Sequence, residues 1–366
     1  MPRISVAQID LLRVLAMLGI FVHHLWRVGE GAGAIERWLA WLAYVGQYGV
    51  IVFNIITGFV LALTYLGPEG RVAPGYYPFL RRRFFRIVPT YHCALILFTA
   101  LNIVIFRPPE YTSTLVRFLQ NLVFLQGFDP STLMSNIAAY WYLTLLASFY
   151  LIFPFLLRFF LHLGPTLACG AVCLFCWGGL GLLRVVDPSW EPLWGMLYFN
   201  LPARLPEFAI GMWLAAAWTP RRSAAFKLPL SSSFTIFALS LLVFALFASP
   251  WARQMARPLS LIYQVACTLT AFLLVFLSPL AARLSGTNMV KKISVASYGI
   301  YLAHQPLGSY VQAWLEDWHV SSMSEFVLVS VTVGPLAYFL ANLLESLTRI
   351  INTTVSNFFY PQVESH

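Results

Sequence analysis

Charge is what this sequence lacks. Aspartate, glutamate, lysine and arginine make up 10% of its 366 residues, where a soluble globular chain carries roughly a quarter. Hydrophobic residues make up 59% and the mean hydropathy is +0.74, so a soluble enzyme is excluded, although the length alone would allow two soluble domains. Alternation of apolar and polar residues is also lacking. A bilayer admits helices or closed barrels as spans, and long unalternating apolar runs are helices. Cysteine is scarce: Cys93, Cys169, Cys173, Cys176 and Cys267 all fall inside apolar runs, as small core residues do and a disulfide framework does not. Cys169, Cys173 and Cys176 have the spacing of one iron–sulfur motif, but they recur along one helix face, whereas a cluster needs a loop to wrap it. His23 and His24 are adjacent and diverge on a helix, so no metal is expected. Internal repeats and low-complexity stretches are not evident. The first apolar run has no small-residue cleavage site behind it, and the next run follows quickly, so a cleaved signal is not expected.

What is present is a series of runs near the roughly 20 residues a span needs. They lie at 9–28, 40–65, 87–106, 139–161, 166–184, 193–217, 232–249, 259–280, 294–315 and 325–347. The expected fold is all-α, one polytopic membrane helix bundle over residues 1–366 with about ten spans. The formal net charge of +9 sits in short basic clusters at 81–86, 221–227 and 283–292, which argues for cytoplasmic loops and against nucleic acid. Placing all three in the cytoplasm puts both termini there too. It makes 107–138 an external loop, with Arg253 and Arg257 as exceptions on another outer loop. Within 107–138 the stretch LVRFLQNLVFLQGF (115–128) is apolar but short, as a re-entrant or interfacial helix would be.

Ionisable residues inside spans are costly and are suspects for function. Arg13 and His24 are eleven residues apart, which on a helix puts them about 20° apart around the axis and about 16 Å along it. They share a face, and His23 points elsewhere. Asp10 precedes Arg13 by one turn, where the two can pair. Arg83 and Arg86 can share a face of the helix that carries RRRFFR, and guanidinium groups bind phosphate in two-point fashion. Arg204 and Glu207 form a plausible buried ion pair. Tyr298 and His304 are further intramembrane polar residues, Asn54 and Gly58 interrupt the second run, and Trp141 and Tyr142 stand at a span entrance, where an aromatic belt is the ordinary reading.

Taken together these segments resemble the acyltransferase-3 family of integral membrane O-acyltransferases, from the first helix to the last. The residues concerned are Asp10, Arg13 and His24; GVIVFNIITGF (49–59); Arg83, Arg86, Ile87 and Pro89; Trp141 with FYLIFP (149–154); Ser297 to Pro306; and a closing glutamate at Glu345. Many relatives carry a glutamate pair where this chain has Leu146 and Ala147. This departure argues against a close match to the O-antigen and peptidoglycan branch and leans toward the stand-alone members without an appended hydrolase-like domain. The resemblance implies transfer of an acyl group, usually acetyl, from cytoplasmic acyl-CoA to a hydroxyl of a carbohydrate or envelope glycan in the bacterial inner membrane. Transfer is then finished in the membrane domain or by a separate extracytoplasmic partner.

Such chemistry needs a base for the acceptor proton, donors for the oxyanion and a hold on the donor. Histidine is the natural base. The expected roles are His24 as base or brief acyl carrier, Asp10 holding Arg13, Arg13 against the donor or the developing charge, and Arg83 and Arg86 on the phosphates. His304, Trp141, Arg204, Glu207 and Tyr298 are expected on the acceptor side or supporting the site. A transporter of a small anionic or glycan-like solute would also carry paired intramembrane charges and broken helices. A succinyl- or fatty-acyltransferase would differ only in its donor, and a structural membrane protein would need none of these roles.

Overall fold

The computed structural model describes residues 7–26, 33–65, 75–106, 111–187, 189, 191–218, 259–318 and 320–359. Among these residues there is no strand. The helices are α1 (Ala7–Leu25), α2 (Ala34–Gly46), α3 (Gly49–Tyr65), α4 (Tyr76–Phe106), α5 (Tyr111–Leu122), α6 (Trp141–Leu163), α7 (Pro165–Cys173), α8 (Gly179–Val186), α9 (Glu191–Phe199), α10 (Leu201–Ala217), α11 (Leu259–Leu277), α12 (Pro279–Ser285), α13 (Asn288–Leu315) and α14 (Ser322–Phe359). A π-helical turn, Leu174–Gly178, joins α7 to α8, so Cys169, Cys173 and Cys176 lie along one helical stretch as free thiols. Pro89, Pro154, Pro206, Pro306 and Pro335 sit inside helices. Membrane helices tolerate this because neighbouring groups satisfy the freed carbonyls.

Seven helical stretches among the described residues are long and apolar enough to cross a bilayer, against the ten or so expected. The run 232–249, the basic loop 221–227, Arg253 and Arg257 lie outside the described residues. The run 193–217 is divided at Asn200 into α9 and α10, each shorter than a full span. The run 294–315 lies in one long helix, α13, but its serine, tyrosine, histidine and glutamine residues lower its apolarity. The run 40–65 is divided at Gln47–Tyr48 between α2 and α3, and it is counted within one of the seven, Ile35–Tyr65.

The chain forms two compact units, one of residues 1–74 and 145–295, the other of 75–144 and 296–366. In the first, α3 and α10 make the most extensive helix pair. Their axes approach closely because glycines face backbone. A Cβ on Gly58 would stand 2.0 Å from the Phe208 carbonyl oxygen, and one on Gly211 would stand 2.1 Å from that of Ile55. Beside this crossing Phe208 stacks on Phe149 with ring centroids 4.6 Å apart. Gly58→Ala therefore forces two backbones apart rather than displacing a side chain. It is expected to destabilise at or above the upper end of the usual 1–3 kcal/mol for overpacking, about 3 kcal/mol. Thermal unfolding of the purified variant checks this, and a midpoint equal to that of wild type would refute the close crossing.

In the second unit α14 lies along α4. Thr90 and Thr348 share a 2.7 Å hydroxyl contact, and Asn352 Nδ2 donates to the Phe85 carbonyl at 2.8 Å. Residues 138–140 are sewn to α13. Tyr140 Oη donates to the Leu302 carbonyl at 2.9 Å, and Tyr301 Oη donates to the Ala139 carbonyl.

Candidate active site

The candidate residues divide between the two units. Asp10, Arg13, His24, Arg204 and Glu207 belong to the first; Arg83, Arg86, Trp141, Tyr298 and His304 belong to the second.

In the first unit α1 is continuous from Ala7 to Leu25, so the shared face of Arg13 and His24 holds. Asp10 Oδ1 lies 3.6 Å from Arg13 Nη1. The shorter contact to that same oxygen comes from Ser294, whose hydroxyl donates at 2.6 Å. Ser294 is buried and stands at the start of α13, three residues before the Ser297–Pro306 motif. It went unnoticed in the sequence because a lone serine beside Lys291 and Lys292 reads as part of a helix start. The two adjacent histidines differ. His23 Nδ1 lies 3.0 Å from the Ala43 carbonyl on α2. A carbonyl can only accept, so Nδ1 carries the proton and His23 is a tie between α1 and α2. His24 stays on the stripe with Arg13.

Arg204 and Glu207 are the expected ion pair, at 2.8 Å and almost fully buried. The pair has more support than the sequence indicated. Asn54 Nδ2 donates to the other carboxylate oxygen at 2.6 Å, Arg204 Nε donates to the Tyr198 carbonyl at 2.8 Å, and the guanidinium carbon sits 4.0 Å from the centre of the Tyr198 ring. Asn54 is thus the α3 end of a polar link to α10 beside the close glycine crossing.

In the second unit the first turns of α4 carry an open surface pocket of about 540 Å³ lined by Pro78, Phe85 and the exposed Arg81, Arg82 and Arg86. Arg86 lines the pocket, but Arg83 does not, and its guanidinium lies 5.5 Å from the Phe79 ring centre. Helical spacing allows Arg86 to share a face with Arg83 at i,i+3 or with Arg82 at i,i+4, and only packing distinguishes them. Phe79, buried completely, draws Arg83 to its own side. Arg81 reaches the Phe85 ring at 5.9 Å, and Glu345 of α14 is within electrostatic reach of Arg86 and Arg349.

Farther along this unit His304 is fully buried, with Nδ1 2.7 Å from the Tyr301 carbonyl. Nδ1 therefore holds the proton and Nε2 is the basic nitrogen of the neutral ring. Tyr298 Oη donates to the Ile87 carbonyl at 3.1 Å, beside Pro89. Trp141 and Tyr142 are buried, and the Tyr142 ring meets that of Tyr301 edge-on at 5.5 Å. Residues of an aromatic belt would face lipid, so these two do not form one.

The family model for an acyltransferase domain matches residues 6–342. The peptidoglycan O-acetyltransferase OatA of Listeria monocytogenes is 25% identical over 333 residues, which cover 82% of this chain and 49% of the relative. The chain thus spans about half the length of that curated relative. No solved structure matches it. A match running from the first described helix into α14, over the same segments that hold Asp10, Arg13, His24, the arginine cluster and the Ser297–Pro306 motif, places the chain in the acyltransferase-3 family.

Proposed function

We propose that this protein is a membrane O-acyltransferase that moves an acyl group, acetyl by default, from cytoplasmic acyl-CoA to a hydroxyl of a carbohydrate or envelope glycan, with both chain termini in the cytoplasm of a bacterial cell. Membership of the acyltransferase-3 family supports the reaction class, and the glycan named for the Listeria relative supports the acceptor class. The observation that carries the donor assignment is the pocket on α4, where Arg81, Arg82 and Arg86 surround Phe85. Three guanidinium groups suit a ligand with several phosphates, and an aromatic ring among them suits a stacked base.

In this reading the acceptor oxygen attacks the thioester carbonyl and His24 takes the hydroxyl proton, while Arg13, about 16 Å along α1 from His24, contacts the donor. The carbon–oxygen bond forms as the carbon–sulfur bond breaks, and the thiol leaves with a proton. Asp10, pinned by Ser294, orients Arg13. Arg204, Glu207 and Asn54 hold the framework. His304, Tyr298 and Trp141 are assigned to the acceptor side.

The test is transfer of labelled acetyl from acetyl-CoA by protein in vesicles, with cell-envelope glycan as acceptor. Transfer by wild type is expected. Uptake of solute without any transfer would instead indicate a transporter. Arg86→Ala is expected to raise the KM for acetyl-CoA by about tenfold or more, since a hydrogen bond to a charged group contributes about 1.5–3 kcal/mol. Arg83→Ala, which removes a side chain that turns away from the pocket, is expected to leave that KM within about twofold. Equal losses in the two variants would sink the assignment of the pocket.

A further inference from the structure

α5 is amphipathic in the reverse sense. Its outer face and the turn after it present Leu115, Val116, Leu119, Val123, Leu125 and Phe128, each about half exposed, while Asn121 and Gln126 are 0% and 1% exposed. A helix over a water-filled loop does the opposite, turning its polar side outward.

The end of the helix is more telling. The last four carbonyls of a helix have no partner within it and must be met by the following turn, by side chains or by water. Here each is taken by the protein. Leu119 accepts from the amide of Val123 at 3.3 Å, and Gln120 from that of Leu125 at 2.8 Å. Asn121 accepts from the amide of Phe124 at 3.1 Å and from Tyr91 Oη at 2.9 Å. Leu122 accepts from His92 Nε2 at 2.9 Å. The amide closures are those of the following turn around a left-handed residue, whereas Tyr91 and His92 come from the middle of α4. Gln126 Nε2, just beyond, donates to the Tyr140 carbonyl at 3.0 Å. Phe124 adopts a left-handed conformation, φ 61°, to make this closure. In water an orphan carbonyl can instead be hydrated. In hydrocarbon satisfaction by protein groups is obligatory, because each orphan carbonyl there costs several kcal/mol.

We propose that α5 and the turn after it form a re-entrant element, with the apolar face against lipid acyl chains, the C-terminal end inside the hydrocarbon and the N-terminal end at the headgroups. The polar residues agree with this direction. Thr112 lies in the first turn and Arg117 at mid-helix, both exposed, and the long stem of Arg117 carries its guanidinium to the headgroup level. The inference is independent of the catalytic reading and concerns only how this segment meets the bilayer.

The experiment is collision accessibility of nitroxide labels on the full chain in phosphatidylcholine–phosphatidylglycerol vesicles. Leu119→Cys and Val123→Cys are made with the five native cysteines replaced by alanine, and Ser189→Cys, on the exposed turn after α8, serves as a polar reference. Val116→Cys and Leu125→Cys give two more positions on the face should either primary variant fold poorly. Collisions with oxygen are expected to exceed those with a nickel chelate by severalfold at Leu119 and Val123, and the order is expected to reverse at Ser189. Nickel accessibility at Leu119 and Val123 equal to that at Ser189 would overturn the proposal by placing the face in water. Low accessibility to both reagents would also overturn it, because another protein surface would then cover the face.

Discussion

His24→Ala is expected to lower acyl transfer by about 10²–10⁴-fold, the usual contribution of a positioned general base, while His23→Ala retains most of the activity. The two imidazoles are neighbours in sequence, with ring centroids 5.2 Å apart, so composition, depth and local polarity are nearly the same for both. They differ in what holds them. His23 is committed through Nδ1 to the Ala43 carbonyl, and its loss removes one hydrogen bond between α1 and α2, about 1 kcal/mol of stability. His24 lies on the stripe with Arg13, whose carboxylate partner Asp10 is pinned by Ser294. The comparison is made with labelled acetyl-CoA on wild type and both variants, each first matched for folded protein by size-exclusion profile. A drop for His23→Ala as deep as that for His24→Ala would mean that the helix, not one imidazole, is what the reaction needs. Full activity of His24→Ala would remove it from the mechanism.

Glu207→Ala is expected to be the most destabilising single change, about 3–5 kcal/mol, the range for removing one partner of a buried ion pair. Arg204 would keep its charge in a place that is 4% exposed, with the Tyr198 carbonyl and ring left as company, and Asn54 Nδ2 would lose its 2.6 Å acceptor. Glu207→Gln leaves a neutral acceptor and should cost less. Replacing both charges together, Arg204→Met with Glu207→Leu, should recover part of the loss, because the cost lies in the stranded charge rather than in the absent attraction. Thermal unfolding in lipid nanodiscs compares the four proteins. The picture of a stranded charge fails if the double variant is less stable than Glu207→Ala.

Much of the architecture was legible because membrane helices are written in runs of apolar residues. The cores of α1, α4, α6 and α14 lie where hydropathy puts them, and the break at Gln47–Tyr48 and the division at Asn200 are details of helix continuity that a hydropathy window averages away. Charges at helical spacing on a single helix were legible for the same reason. The Asp10–Arg13 contact and the Arg204–Glu207 pair are both i,i+3, and local geometry alone brings such residues together.

Partners that come from another helix were not legible. Ser294 is 284 positions from Asp10, and Asn54 is 153 from Glu207. Sequence carries no distance between them. The arginine cluster shows the same limit within one helix: four guanidinium groups in six residues offer several equivalent faces, and sequence does not say that Arg83 lies against the buried Phe79 while Arg86 lines the pocket. The segment at 115–128 could be read from sequence as interfacial or re-entrant, because both need a short apolar stretch. The re-entrant proposal rests on the capping of its last carbonyls by Tyr91 and His92, and that depends on the fold of α4 against α5. The sequence by itself determined that this chain is a helical membrane protein of the acyltransferase-3 type with polar residues on particular helix faces, since periodicity and hydropathy are local. Which of those residues meet was decided by tertiary packing alone, since each meeting depends on side chains that compete for one partner across helices.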